Sequence, residues 1–278
     1  MEVSRRDFLK LAGVASAGAV VTATSGGLLA GCSPLKGMEN EALNDTNLGM
    51  LFIPSRCDYE DGCRDCIDAC HGKHNVPDHE NEKHEIKWIW KTEFHSAFPA
   101  YHENDILNEK MHHAPFMVMC NHCANPACVR VCPTQATFRR KDGVVLMDYH
   151  RCIGCRFCVA ACPYGARSFN FKDPRKGLDE NEIHDNFPTR TKGVVEKCNF
   201  CSERDIHGQF GPKKLPYCVE ACMNHKGVEH QESALVFGDL DNEGSDINAV
   251  LKKAPELGLI PLRRNEGAGT NPKVYYLV

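Results

Sequence analysis

The chain has 278 residues, 42% hydrophobic and 25% charged, enough apolar material for a core in one large or two small domains, and this excludes disorder for most of it. Cysteine is the outlier: 17 residues beside 8% aromatic content imply that metal helps to hold the fold. The formal charge of −4, with no clustered basic stretch evident, argues against a nucleic-acid partner.

Residues 4–10 read SRRDFLK and precede the uncharged run LAGVASAGAVVTATSGGLLA. Paired arginines before such a run resemble a twin-arginine export signal. The run could span a bilayer, and a basic N-terminus on a membrane anchor is the alternative. Its Gly and Ala content suits a signal better. Leu29-Ala30-Gly31-Cys32 resembles a lipoprotein processing site, in which Cys32 would carry lipid; a stray cysteine or an uncleaved anchor is the other reading. Residues 1–31 are thus expected to place the chain on the outer, periplasmic side of the cytoplasmic membrane, close to its surface, with 32–50 as a linker. That compartment favours disulfides. The twin-arginine resemblance instead implies a protein exported folded, with a metal centre loaded in the cytoplasm.

Sixteen cysteines follow Cys32 in four quartets. Cys57, Cys63, Cys66 and Cys70 form C-x5-C-x2-C-x3-C, and Gly62 supplies a permissive backbone for the longer first loop. Cys120, Cys123, Cys128 and Cys132 form C-x2-C-x4-C-x3-C before Pro133. Cys152, Cys155, Cys158 and Cys162 form C-x2-C-x2-C-x3-C before Pro163, the run of bacterial ferredoxins. Cys198, Cys201, Cys218 and Cys222 form C-x2-C-x16-C-x3-C. A short loop wraps three corners of a cubane cluster, and the fourth cysteine, leading away, ligates the other cluster of a pair. The expected 4Fe-4S ligand sets are therefore Cys120, Cys123, Cys128 with Cys162, and Cys152, Cys155, Cys158 with Cys132. The outer runs should pair likewise: Cys57, Cys63, Cys66 with Cys222, and Cys198, Cys201, Cys218 with Cys70.

Rival chemistries fit less well. Disulfides do not need tight quartets, and tetrahedral zinc does not explain the Cys-Pro endings or the three-plus-one spacing. No C-x-x-C-H haem motif occurs, since His71 follows a C-x3-C step. A Rieske centre using His122 or His225 would strand Cys123, Cys128 and Cys132. His122 is expected to donate to a cluster sulfur or to face solvent. His71 and Met223 stand where proline follows the inner runs, and a three-cluster chain remains the alternative count. Four clusters at −2 each would take the mature charge, −5 after loss of residues 1–31, to about −13.

The runs nest, outer around inner. The fold class expected is α+β, with two interleaved bacterial-ferredoxin-like dicluster lobes and insertions. The first outer run plus an insertion covers 51–111, the central dicluster lobe 112–174, the last outer run 175–240 and a C-terminal tail 241–278. Within the insertion Ile86, Trp88 and Trp90 alternate as a strand with one aromatic face, either packed over the first cluster or offered to a partner. Ala136–Arg140 and Val144–Met147 read as two strands joined by the turn at Lys141-Asp142-Gly143. Residues 234–237 read as a strand, 246–257 as a helix and 273–278 as a last strand.

The nested runs, with VVEKCNFC at 194–201, LVFGDL at 235–240 and KVYYLV at 273–278, resemble the four-cluster iron-sulfur subunits of membrane oxidoreductases, those of the polysulfide, dimethyl sulfoxide and nitrite reductase systems. CIDACHGKHNVP at 66–77 and EIKWIWKTEF at 85–94 are most similar to the DsrO-type subunits of sulfite-reductase-associated complexes. The resemblance implies four 4Fe-4S clusters, no catalytic site of its own, and electrons relayed between an NrfD-like quinone-handling membrane subunit and another redox subunit such as a multihaem cytochrome c. A subunit of a molybdopterin reductase, of polysulfide, dimethyl sulfoxide or tetrathionate type, or of a nitrite reductase system is the nearby alternative. A scaffold in which metal only staples the fold is the alternative of another class. No phosphate loop or dinucleotide fingerprint is present, so no nucleotide cofactor is expected.

Overall fold

Residues 48–52, LGMLF, are buried throughout and form β1 (Leu48–Phe52), as a strand covered on both faces must. In this computed structural model the described residues are 46–278, apart from 60, 102–103, 105–106, 108–110, 112–115, 180–182 and 207–212. The arginine pair, the apolar run and Cys32 lie outside the described residues. β1 starts inside the segment read as a linker, because Leu48 and Met50 are drawn into the core.

The chain continues through α1 (Asp65–Lys73), β2 (Ile89–Thr92), the single turn α2 (Phe94–Ala97) and β3 (Phe116–Met119). Next come α3 (Ala127–Arg130), β4 (Thr137–Arg139), β5 (Val145–Met147), α4 (Phe157–Ala160), β6 (Ser168–Phe169) and β7 (Val195–Glu196). The last part holds α5 (Tyr217–Lys226), β8 (Leu235–Asp239), α6 (Asp246–Lys253), β9 (Pro261–Leu262) and β10 (Val274–Leu277). Strands and short helices are thus mixed.

One sheet, in the order β8-β1-β10-β9, joins the two ends of the described chain: β1 runs antiparallel to β8 and parallel to β10. The strand period of two divides its side chains between two cores. Leu48, Met50 and Phe52 join the large core, where Phe52, Phe98, Phe116 and Tyr276 meet edge-on or tilted at ring separations from 5.1 to 6.4 Å. Leu51 and Ile53 join a smaller core with Val236, Leu277 and, from α6, Ile247 and Val250. The remaining strands form two-stranded ribbons, β2-β3, β4-β5 and β6-β7.

The β4-β5 hairpin and the strands β8 and β10 fall where the sequence predicts them. Two elements differ. The aromatic strand begins only at Ile89: Trp88 is fully buried before it, stacked on His74 at 4.5 Å with Nε1–H donating to Glu196 at 2.9 Å. Trp88 is therefore a core residue, and of Ile86, Trp88 and Trp90 it is Trp90 that stays half-buried. The last helix stops at Lys253 rather than residue 257. Pro255 lacks the N–H that would continue the helical ladder, so the chain finishes as a 3-10 turn capped by left-handed Gly258.

Candidate iron-sulfur sites

Helix α1 carries Cys66 and Cys70, and α5 carries Cys218 and Cys222. Cysteines four apart lie one above the other on a helix face. Because α1 and α5 pack against each other, these thiols divide between two sites. Cys222 joins Cys57, Cys63 and Cys66 around one cavity, which Lys91 also lines. One turn away, Cys70 lies beside Cys198, Cys201 and Cys218. A further cavity gathers Cys120, Cys123, Cys128 and Cys162 with Tyr164 and Arg167. Cys158 lies near Cys152 and, across the α3–α4 contact, near Cys128. Cys132 follows α3 and accepts the Thr137 N–H at 3.5 Å. Cys155 stands between Gly154 and Arg156, both left-handed.

The loops share one turn. The residue before the second cysteine of every quartet has positive φ: Gly62 at 80°, His122 at 40°, Gly154 at 71° and Phe200 at 55°. Such a turn directs successive N–H groups to its concave side, where an anion or cluster sulfur is held. Phe200 N–H already donates to Cys198 Sγ at 3.5 Å.

All sixteen thiols are free. Burial pushes Cys66 up to about 12, with Cys222 adding to the shift, and Cys198 up to about 12, with Cys120 adding. Cys70, Cys201 and Cys218 stand well above the ordinary thiol value, through burial first and neighbouring sulfurs or Glu203 second. Four crowded, buried thiols cannot all ionise unless metal cations compensate them. Cys132 behaves oppositely: hydrogen bonds from Thr137 and Thr134 outweigh burial and lower it.

Buried cations stand against these thiols. Arg167 is 4% exposed; Nη1 donates to Thr137 Oγ1 at 3.2 Å, while Nε and Nη2 meet no oxygen or nitrogen acceptor. Its guanidinium lies beside Cys128, Cys158 and Cys120. Lys197 is 1% exposed, and Nζ donates to the carbonyls of Val145 and, at 2.7 Å, Cys198. Orphaned donors aimed at clustered thiols fit an anionic iron-sulfur cluster bound there. Neither residue was legible from the sequence. Lys197 precedes Cys198 in the VVEKCNFC stretch, but only the fold shows its burial.

His122 does not face solvent. It is fully buried, stacked on Phe200 at 3.7 Å, and its Nδ1 accepts the Val145 N–H at 3.1 Å, so that nitrogen cannot donate to sulfur. The basic side chains are also less dispersed than the net charge suggests. Residues 127–172 hold eight Lys or Arg and two Asp, a formal +6 within a chain of −4. Spread along sequence, they read as no cluster.

Four turns of shared geometry around free thiols, buried or half-buried, with cations beside them that have no carboxylate partner among the described residues, mark an iron-sulfur protein of the ferredoxin kind. Residues 111–176 match the 4Fe-4S dicluster domain, and residues 2–22 match the twin-arginine translocation pathway signal sequence, which marks the chain for export. Among the described residues no helix is long and apolar enough to cross a membrane. The chain is 38% identical over 289 residues to the Hdr-like menaquinol oxidoreductase iron-sulfur subunit 1 of Archaeoglobus fulgidus, covering 99% of this chain and 97% of that protein. It is 34% identical over 248 residues to the menaquinone reductase iron-sulfur cluster-binding subunit of Nitratidesulfovibrio vulgaris, covering 82% and 88%. It is 31% identical over 277 residues to a tetrathionate reductase subunit of Salmonella typhimurium, covering 100% and 89%. The chain belongs to this family, the iron-sulfur subunits of menaquinol oxidoreductase and reductase complexes.

Proposed function

We propose that this chain is the electron-relaying subunit of a membrane-associated quinol complex, holding four 4Fe-4S clusters. Cys57, Cys63, Cys66 and Cys222 would hold one, and Cys70, Cys198, Cys201 and Cys218 the next. Cys120, Cys123, Cys128 and Cys162 would hold the third, and Cys132, Cys152, Cys155 and Cys158 the fourth. The first three groupings are supported by the cavities and thiol neighbours, the fourth by its spacing and by the α3–α4 contact. When bound, each cluster supplies a one-electron centre. The observation that carries the reading is the sharing of single elements by successive sites: α1 and α5 serve the first two, Lys197 stands between the second and third, and Arg167 stands between the third and fourth.

Both ends of that row offer a surface. The Cys57 site opens beside a groove of ≈ 610 Å³ lined by Tyr59, Gly62, Cys63, Trp90 and Lys91. Around the last set, Ile153 is 68% and Phe157 59% exposed, with Val131 and Phe171 also outside, in the basic 127–172 segment. Exposed apolar side chains in a charged rim mark partner contacts. The partners proposed are an NrfD-like quinone-handling membrane subunit and a second redox subunit, such as a multihaem cytochrome c. The chain itself would carry no catalytic site and would work on the periplasmic face, anchored through lipid on Cys32. A role in dissimilatory sulfur metabolism of the DsrO type rests on the resemblance of residues 66–77 and 85–94, while similarity to the tetrathionate reductase subunit supports the alternative, a molybdopterin reductase of tetrathionate type.

The test joins composition to reconstitution. The purified chain should hold about 16 iron and 16 sulfide, four of each per cluster. Quinol should bleach its absorbance only after the membrane subunit is added. Iron near 12, four zinc ions, or rapid quinol oxidation by the isolated chain would overturn the reading.

A further inference from the structure

Three cations converge on the set Cys120, Cys123, Cys128 and Cys162. Lys197 lies beside Cys120, Cys198 and Cys128, Arg167 beside Cys128, Cys158 and Cys120, and Lys273 beside Cys123 and Cys120, so this set is the one that all three reach. All three are buried, at 1%, 4% and 3% exposure. Lys197 donates only to backbone carbonyls, those of Val145 and Cys198, and Arg167 to Thr137 and Met147. Among the described residues neither forms an ion pair with a carboxylate. Lys273 donates to Gly143 O at 2.8 Å and has Asp142 nearby, but that carboxylate is shared with Arg140.

The other sites differ in sign or in the number of cations. The Cys198 set shares Lys197, but beside Cys198 and Cys201 stands the opposing carboxylate of Glu203, hydrogen-bonded to His74 at 2.8 Å and to Asn199 at 2.8 Å. The Cys57 set has Lys91, but also Asp58 and Asp65, which are tied to Lys226 and His225 at 2.7 and 2.9 Å at the surface. The Cys152 set shares Arg167, the cation beside Cys158, without a lysine next to it there among the described residues.

We propose that Lys197 and Arg167, reinforced by Lys273, are positioning charges that make the Cys120, Cys123, Cys128 and Cys162 site the most oxidising of the four, so that the first electron entering the chain settles there. A cluster gains one negative charge on reduction, and fixed, poorly screened cations stabilise that charge more than the oxidised state. The inference rests on the proposed ligand sets. It adds an order of potentials, which neither cysteine spacing nor family membership supplies.

The experiment is a dithionite titration of the holo-protein with redox mediators, followed by electron paramagnetic resonance. In the native chain the first signal to grow should be altered by Cys162→Ser and unaltered by Cys222→Ser or Cys70→Ser. The reverse pattern overturns the proposal. Lys197→Met should lower the reduction equilibrium of that signal at least tenfold, which for one electron is 59 mV, leave the Cys57 site unmoved, and be rescued by Lys197→Arg. If Lys197→Met loses iron, Lys273→Met reads the same shift. An unshifted first signal with iron still near 16 overturns the charge assignment. Iron near 12 in the native chain would instead overturn the four-cluster reading beneath it.

Discussion

The second cysteine of each loop is reached through a left-handed residue, and what occupies that position differs in kind. Two loops use glycine, which adopts positive φ without strain. The other two use His122 and Phe200, which stack face to face at 3.7 Å, so tertiary packing holds a backbone that their own side chains disfavour. The glycines give a paired test. A Cβ on Gly62 would meet nothing within 4 Å, whereas one on Gly154 would collide with the Gly193 carbonyl and press on the Phe169 ring. Gly62→Ala should therefore cost about 1–2 kcal/mol, the penalty of the left-handed conformation alone, and keep its iron. Gly154→Ala should lose about a quarter of the iron, one proposed cluster in four, because backbone cannot swing aside. Equal iron in both variants would show that the Gly154 loop does not need its turn. The cysteines and Gly62 are legible in the sequence because chemistry and spacing write them. The turn at His122 is not, since stacking between loops some eighty positions apart leaves no local signal.

At the scale of elements, helix packing converts one spacing into two sites. Cys218 and Cys222 lie on one face of α5, yet the first neighbours Cys70 and the second lines the cavity of Cys57, Cys63 and Cys66. Cys222→Ser should perturb the spectrum of that set alone, and Cys218→Ser the spectrum of the Cys70 set alone. A common spectral change would mean that the quartets bind as they run in sequence. Helix α6 answers a different physical need, closing the outer face of the sheet. Ile247 is fully buried there, and Gly238 on β8 leaves room for its Cγ2. Ile247→Ala should destabilise the chain by about 2–5 kcal/mol in urea unfolding, with iron content unchanged because no cysteine belongs to that small core. Strand and helix types were legible here from apolar patterning, whereas the start of β2 was not. Alternation at Ile86, Trp88 and Trp90 suits a strand, but the stack of Trp88 on His74 takes that residue out of the ladder.

For the whole molecule, the four cysteine runs were legible, while the distribution of charge was hidden inside the net −4. Lys197 and Arg167 sit in the interior with no carboxylate partner among the described residues, at a position where the proposed clusters would be their counter-anions. Removing iron and sulfide would leave both cations desolvated beside neutral thiols. Isolated buried charges cost several kcal/mol each, and a domain of this kind is stable by only about 5–15 kcal/mol in all. Loss of the clusters should therefore open the centre of the chain rather than leave an empty scaffold. The sheet should yield last, because Leu51, Ile53, Val236, Ile247, Val250 and Leu277 form a core of their own without thiols. Hydrogen exchange read by mass spectrometry should show protection lost first around Arg167 and Lys197 after chelation of iron, and retained longer in β1, β8, β10 and α6. Uniform loss across the chain would mean that the two cores unfold as one unit. Full protection in the iron-free protein would mean that the cations have other partners and that the clusters are not what holds the centre closed.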